Sequence, residues 1–224
     1  MKYKYLLFDL DGTVSESAEG IRVSLEYAIN TLGAPMPDLS DYTRYVGPPL
    51  IDTFLNLVGL DPGTAERGAQ LYRDYYNEKG KYLNRVYKGI PELLGRLREE
   101  DVKMCICSSK YELFAEEIIG ILGLGGDFDA VCGSNIDGSR KDKKDLIPYA
   151  VACLGGDFER DRERTVMLGD TWYDAKGARL CGVDFIGVRY GYAAPGELEE
   201  AGADAIEQDL GELQKMLTCG EFLL

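Results

Sequence analysis

The sequence predicts an α/β protein: a Rossmann-like parallel sheet core with helices on both faces, and an α-helical cap inserted after the first strand. Three observations predict it. Short apolar runs alternate with helical patterns from residue 85 onward, as βαβ units do in a sheet covered on both faces. Tyr3 to Phe8 supplies one more buried strand at the start of the chain. Between them, residues 15 to 84 carry helical spacing and no clear strand before Val86.

In chain order, the run Tyr3 to Phe8 meets two carboxylates in "FDLDGT". Ile21, Leu25, Ile29 and Leu32 then recur at helical spacing, and two further helical stretches, Leu50 to Val58 and Thr64 to Lys79, follow the breaks "GAPMP" and "GLDPG". Val102 to Cys107 reads as a strand, Tyr111 to Leu122 as a helix, Phe128 to Cys132 as a strand and Lys144 to Leu154 as a helix. Thr165 to Leu168, Asp184 to Val188 and Ala203 to Ile206 read as further strands, separated by helical patterns around Ala175 to Cys181 and Glu197 to Ala201. The expected division is a core of residues 1–14 and 85–224 and a helical cap of residues 15–84.

With 224 residues, 45% of them hydrophobic, the chain can bury a sizeable core. A net charge of -14, spread along the chain, repels nucleic acid and anionic membranes, so neither is an expected partner. No apolar run approaches the roughly 18 residues of a bilayer span, and the acidic start interrupts any signal-peptide core, so a cytoplasmic protein is expected. The six cysteines form no CxxC pair and several lie in apolar strand-like runs, which fits reduced, buried thiols. Histidine is absent, which removes Ser-His-Asp triads, Cys-His pairs and His-ligated zinc. Hydrolysis by this chain therefore has to run on carboxylates, hydroxyls, lysine and a hard cation. The sequence carries no signal of oligomeric state.

Ligands of an open parallel sheet bind beyond the carboxyl ends of its strands. Four such ends are polar here: "FDLDGT", "CICSSK", "GSNIDGSRKDKKD" and "MLGDTWYDA". Asp9 and Asp11 alone could serve a turn or a helix N-cap. Asp170 and Asp174 at an equivalent strand end change that reading, because gathered carboxylates repel unless a cation or a proton sits between them. Oxygen-only ligands point to Mg²⁺, which completes its shell with water and substrate phosphate. Ser108, like Ser109, could cap a helix starting near Lys110. The buried stripe through Leu146, Ile147 and Ala150 leaves both Lys143 and Lys144 on its side.

FDLDGT, the Ser108 of "CICSS", a lysine near position 143 and GDxxxD, in that order, resemble the four motifs of the haloacid dehalogenase-like phosphohydrolases. The resemblance covers nearly the whole chain and includes the helical cap. "YTRYVGPPL" and "VYKGIPELLGRLRE" resemble the phosphoglycolate phosphatase-like branch. What the resemblance implies is a Mg²⁺-dependent phosphatase acting through an aspartyl phosphate on a small phosphomonoester, such as phosphoglycolate or a nucleoside 5'-monophosphate. It implies Asp9 as nucleophile and Asp11 as general acid, then base. It implies Mg²⁺ held by the Asp9 carboxylate, the Asp11 backbone carbonyl and Asp170, with Asp174 ligating directly or standing just outside. Ser108 and Lys143 would bind phosphoryl oxygens; Lys143 is preferred over Lys144 because relatives with a "DGSR" turn place the motif lysine three residues beyond the arginine. Gly12 is expected at positive φ and Thr13 beside Asp11. Arg44 of the cap would touch substrate, a solvated surface arginine being the alternative, and Trp172 would shape the pocket or pack. A phosphosugar mutase of the same superfamily is the competing enzyme. A phospho-accepting signalling domain is the competitor from another class, although such domains are shorter and carry the acceptor on a middle strand.

Overall fold

The structure, a computed structural model, describes residues 2–137 and 139–219. In chain order its elements are β1 (Tyr5–Phe8), β2 (Ser15–Glu16), α1 (Ala18–Leu32), α2 (Leu50–Asp52), α3 (Pro62–Glu78), β3 (Arg85–Val86), α4 (Ile90–Leu97), β4 (Lys103–Tyr111), α5 (Glu112–Ile121) and β5 (Ala130–Ser134). They continue as α6 (Lys143–Cys153), α7 (Phe158–Asp161), β6 (Thr165–Gly169), α8 (Trp172–Cys181), β7 (Asp184–Val188), α9 (Glu197–Glu200), β8 (Ala205–Glu207) and α10 (Leu210–Cys219). Six strands form one parallel sheet in the order β5-β4-β1-β6-β7-β8.

Alternation along β1 shows why both faces are covered. Leu6 and Phe8 join one buried cluster with Ile90, Leu94 and Ile118, while Leu7 joins another with Leu146, Ile147 and Ala178. A strand apolar at every position can only sit between two helical layers. The first cluster continues into the insertion through Leu25, Ile29, Ala69 and Tyr76. There α3 starts at Asp61, whose carboxylate accepts from the Thr64 N–H at 3.1 Å, with Pro62 in the first turn. Its buried residues, Ala65, Gly68, Ala69, Tyr72 and Tyr76, lie at helical spacing on one face, and the helix packs on α1.

Three local expectations are corrected. The insertion is bounded by strands after all: β2 and β3 pair antiparallel, Ser15 opposite Val86 and Glu16 opposite Arg85. Two-residue strands are too short to show a period. The stretch expected as a helix from Leu50 to Val58 starts as α2 and widens into a π-helical turn, Thr53–Leu57, that buries Thr53 and Phe54. Strand β4 runs past Cys107 to Tyr111, so α5 begins at Glu112, not near Lys110. Its pairing with β5 shifts register between Cys107 and Tyr111, an irregularity typical of strands that aim side chains into a site. No helix among the described residues is long and apolar enough to cross a membrane.

Candidate active site

Adjacent strand order brings the four polar strand ends together. Asp9 follows β1, and its N–H donates to Leu168 O at 2.8 Å, extending the ladder with β6. Asp170 follows β6 directly, Ser108 to Lys110 close β4, and Ser134 ends β5. Asp9, Asp11 and Asp170 are 5%, 7% and 0% exposed, so every charge here needs a partner.

Lys143 is the partner of Asp9. Its ammonium lies 2.6 Å from Asp9 Oδ1 and 2.7 Å from Asp174 Oδ1, and donates to Cys107 O at 2.6 Å. Burial alone would push this lysine down, but the Asp174 and Asp9 charges hold it above its ordinary value. Gly177 of α8 makes room for it: a Cβ there would lie 2.1 Å from Lys143 Cβ. Lys144, by contrast, is exposed.

Thr171 and Asp174 form a capping box at the start of α8, with Thr171 N and Oγ1 at 3.2 and 3.0 Å from Asp174 Oδ2. Asp174 is thereby fixed with its other oxygen toward Lys143. Asp170 accepts from Thr13 Oγ1 at 3.1 Å and from the Tyr192 N–H at 2.7 Å. Thr13 therefore orients Asp170, not Asp11 as expected. Gly12 has φ +87°, and a Cβ on it would meet Asp170 Oδ2 at 2.0 Å, so the turn needs glycine for both reasons.

Asp9, Asp170 and Asp174 each present a carboxylate oxygen within 4.8 Å of the others. Burial drives the Asp9 carboxyl above its ordinary range against the pull of Lys143, with Asp174 adding to the rise. Asp170 is pushed well above, by burial and then by the Asp174 and Asp9 charges. Four carboxyl groups, Asp11 included, face two ammonium groups, Lys143 and Lys110. The excess of carboxyls over ammonium groups and the all-oxygen donor set fit a divalent hard cation. The Asp11 carboxylate stands outside this cluster and pairs with Lys110 Nζ at 2.8 Å.

Ser108 Oγ accepts from the Lys110 N–H at 3.3 Å, which leaves its own proton free to donate to a ligand. The Ser109 hydroxyl is buried without a partner. Both line a cavity of about 530 Å³ together with Asp9, Asp11 and Lys110. The insertion contributes Tyr45, Pro49, Tyr72, Arg73 and Tyr76 to its walls. Arg44 is exposed and is not among the lining residues, and Trp172, 40% exposed, lies off the cavity, its backbone N–H donating to Glu197 Oε1. Sequence reasoning missed Lys110 and Ser109 as site residues. The signal for Lys110 was its place two residues after Ser108, on the same side of an extended strand.

Residues 6–188 match the family described as haloacid dehalogenase-like hydrolase. The chain is 36% identical to a 5'-nucleotidase from Pseudomonas aeruginosa, over 97% of this chain and 96% of that one. Tyrosine-protein kinase PtkA of Mycobacterium tuberculosis is 38% identical over 84% of this chain, which spans only 62% of that protein. A phosphoglycolate phosphatase from Aquifex aeolicus is 28% identical over 84% of this chain and 86% of that one. The crystal structure of a predicted phosphatase from Clostridium acetobutylicum superposes with a TM-score of 0.90 at 38% identity, covering 97% of this chain and 99% of that one. A family match that runs from β1 through β7 and an architecture shared over nearly the full length agree, and the chain belongs to the haloacid dehalogenase-like hydrolases.

Proposed function

We propose that the protein is a Mg²⁺-dependent phosphatase that hydrolyses a small phosphomonoester through an aspartyl phosphate on Asp9, beneath a cap formed by residues 15–84. The observation that carries this reading is the Asp9 carboxylate itself: buried at a strand end, 2.6 Å from Lys143, and open to the cavity. An Asp9 oxygen attacks phosphorus while the bond to the leaving alcohol breaks, and the Asp11 carboxyl gives that alcohol its proton. Asp11 then takes a proton from water, whose oxygen attacks the aspartyl phosphate, releasing inorganic phosphate and restoring Asp9. Ser108 and Lys143 hold the phosphoryl oxygens, and Lys143 offsets the nucleophile's charge so that a phosphate dianion can approach. Asp9, Asp170 and the Asp11 carbonyl would hold Mg²⁺, with Asp174 beside them; bound there, the ion supplies electrostatic stabilisation of the transferring phosphoryl group.

The cavity supports a substrate larger than a two-carbon acid. Some 530 Å³, walled by Tyr72, Tyr76, Tyr111 and Phe114, lies within the range of sites that enclose an aromatic, drug-sized ligand. A nucleoside 5'-monophosphate is therefore the proposed substrate, in keeping with the 5'-nucleotidase among the relatives. Phosphate release from a panel of nucleotides, phosphoglycolate and phosphosugars tests the choice. A preference for phosphoglycolate would overturn it. Asp9→Asn is expected to lower turnover at least about 10³-fold in a folded protein, and chelation to stop turnover until Mg²⁺ is returned. Wild-type rates in Asp9→Asn would remove the nucleophile from the reading.

A further inference from the structure

We infer that Lys110 is the residue that positions Asp11, and that Tyr76 ties this position to the seating of the helical insertion over the site. The inference rests on the phosphatase reading in so far as Asp11 is the acid and base. The Lys110 ammonium lies 2.8 Å from Asp11 Oδ2, and the two side chains are 9% and 10% exposed. Asp11 Oδ1 is buried and has no hydrogen-bond partner. One oxygen is thus anchored and the other left for the reacting proton, an arrangement a general acid needs because its carboxyl must meet the leaving oxygen in one orientation.

Tyr76 comes from α3 of the insertion. Its ring centroid is 4.7 Å from Lys110 Nζ, and the residue is 0% exposed. The ring face attracts the ammonium and keeps water from it. Tyr76 is itself held at its hydroxyl by Asn84 Nδ2 at 3.1 Å, and Asn84 Oδ1 accepts from Ser15 Oγ at 2.8 Å. Ser15 lies in β2, and Asn84 immediately precedes β3. An unbroken series of contacts therefore runs from the two-stranded ribbon at the base of the insertion through Asn84, Tyr76 and Lys110 to Asp11. If the insertion lifts, Tyr76 leaves Lys110 and the Lys110–Asp11 pair opens to water, where it holds its geometry far less firmly.

Steady-state kinetics of purified variants test this. Lys110→Met is expected to lower kcat about 10²-fold with KM changed less than about threefold, the pattern of a misplaced catalytic group. Lys110→Arg should recover at least about tenfold of that loss by restoring the charge. Tyr76→Leu should lower kcat in the wild-type background and cost nothing further in Lys110→Met, because both changes act through one contact. Wild-type kcat in Lys110→Met, or losses that simply multiply in the double variant, would overturn the inference. Thermal melting supplies a readout independent of turnover: Lys110→Met/Asp11→Asn should melt above Lys110→Met, since it leaves no unpaired buried carboxylate. Equal melting temperatures would also count against it. Should the wild-type protein hydrolyse no phosphomonoester, the phosphatase reading would fail, while the melting comparison would still decide whether Lys110 anchors Asp11.

Discussion

A lysine in the first turn of a helix opposes the helix dipole, yet Lys143 opens α6 and is 3% exposed. Asp9 and Asp174, at 2.6 and 2.7 Å, with Cys107 O at 2.6 Å, make that position favourable. Lys143→Ala is accordingly expected to lower kcat/KM by about 10² or more, the scale of one preorganised electrostatic contact. Lys144→Ala, at an exposed position, and Lys141→Ala, whose ammonium pairs with Asp52 at 3.3 Å, should each cost under about tenfold. A crippled Lys144→Ala beside a mild Lys143→Ala would displace the assignment by one residue. The same crowding of charge sets a pH dependence. Burial raises the Asp9 carboxyl to about 7 and Asp170 well above its ordinary value. A carboxyl raised by folding contributes stability below its unfolded pKa and loses it as pH climbs through the folded one. The metal-free protein should therefore melt at lower temperature at pH 8 than at pH 6, and saturating Mg²⁺ should raise the melting temperature more at pH 8. Calorimetry at both pH values checks this, and an equal Mg²⁺ shift at the two would contradict it.

Helix α8 places two groups of the site and clears room for a third. Its capping box fixes Asp174, its first turn follows Asp170, and its bare Gly177 lets the Lys143 stem pass. Gly177→Ala favours the helix locally by about 1 kcal/mol, but its methyl would stand 2.1 Å from Lys143 Cβ. Overpacking of this kind costs about 1–3 kcal/mol, so the variant should melt lower and also lose kcat as Lys143 shifts. A more stable, fully active Gly177→Ala would show that the helices part without effect on the site. Such close approaches explain which parts were legible in the sequence. β1 and β6 could be read because each is apolar on both faces, and the carboxylates could be read because Asp9, Asp11, Asp170 and Asp174 gather at two equivalent strand ends, where their charges need a cation or a proton between them. Lys143 and Lys144 could not be separated by periodicity, since both adjoin the Leu146 and Ile147 stripe; the gap at Gly177 is a tertiary fact. Lys110 was lost when β4 was expected to stop at Cys107, because a polar Ser108–Lys110 segment has no apolar alternation to mark it as strand. The β2–β3 ribbon, two residues a side, lies below the length at which a pattern exists.

At the scale of the whole molecule, the cavity lies between the sheet's carboxyl ends and the insertion, and the chain crosses between them at β2 and β3. A swing of the insertion about that ribbon, where Tyr87 N donates to Val14 O at 3.1 Å, is the closing movement expected of the protein. Two ion pairs hold the seated arrangement: Lys81 with Glu117 at 2.6 Å and Lys141 with Asp52 at 3.3 Å. Glu117 is 48% exposed, and Lys141 and Asp52 are 35% and 27% exposed. Exposed and partly exposed pairs are worth up to about 1 kcal/mol each, so together they bias seating by up to roughly 30-fold. Glu117→Gln combined with Asp52→Asn removes both without touching the catalytic carboxylates or their lysines. The double variant is expected to raise KM by less than about 30-fold, because only the seated fraction binds productively, and to leave kcat within about twofold once substrate holds the insertion down. Its radius of gyration without ligand should exceed that of the wild type and return to the same value with Mg²⁺ and a phosphate analogue. Wild-type protein at high salt should move in the same direction, since salt screens such pairs. Unchanged scattering in both cases would mean that the apolar contacts of Leu25, Tyr72 and Tyr76 alone seat the insertion, and the ion pairs would lose their place in the closing step.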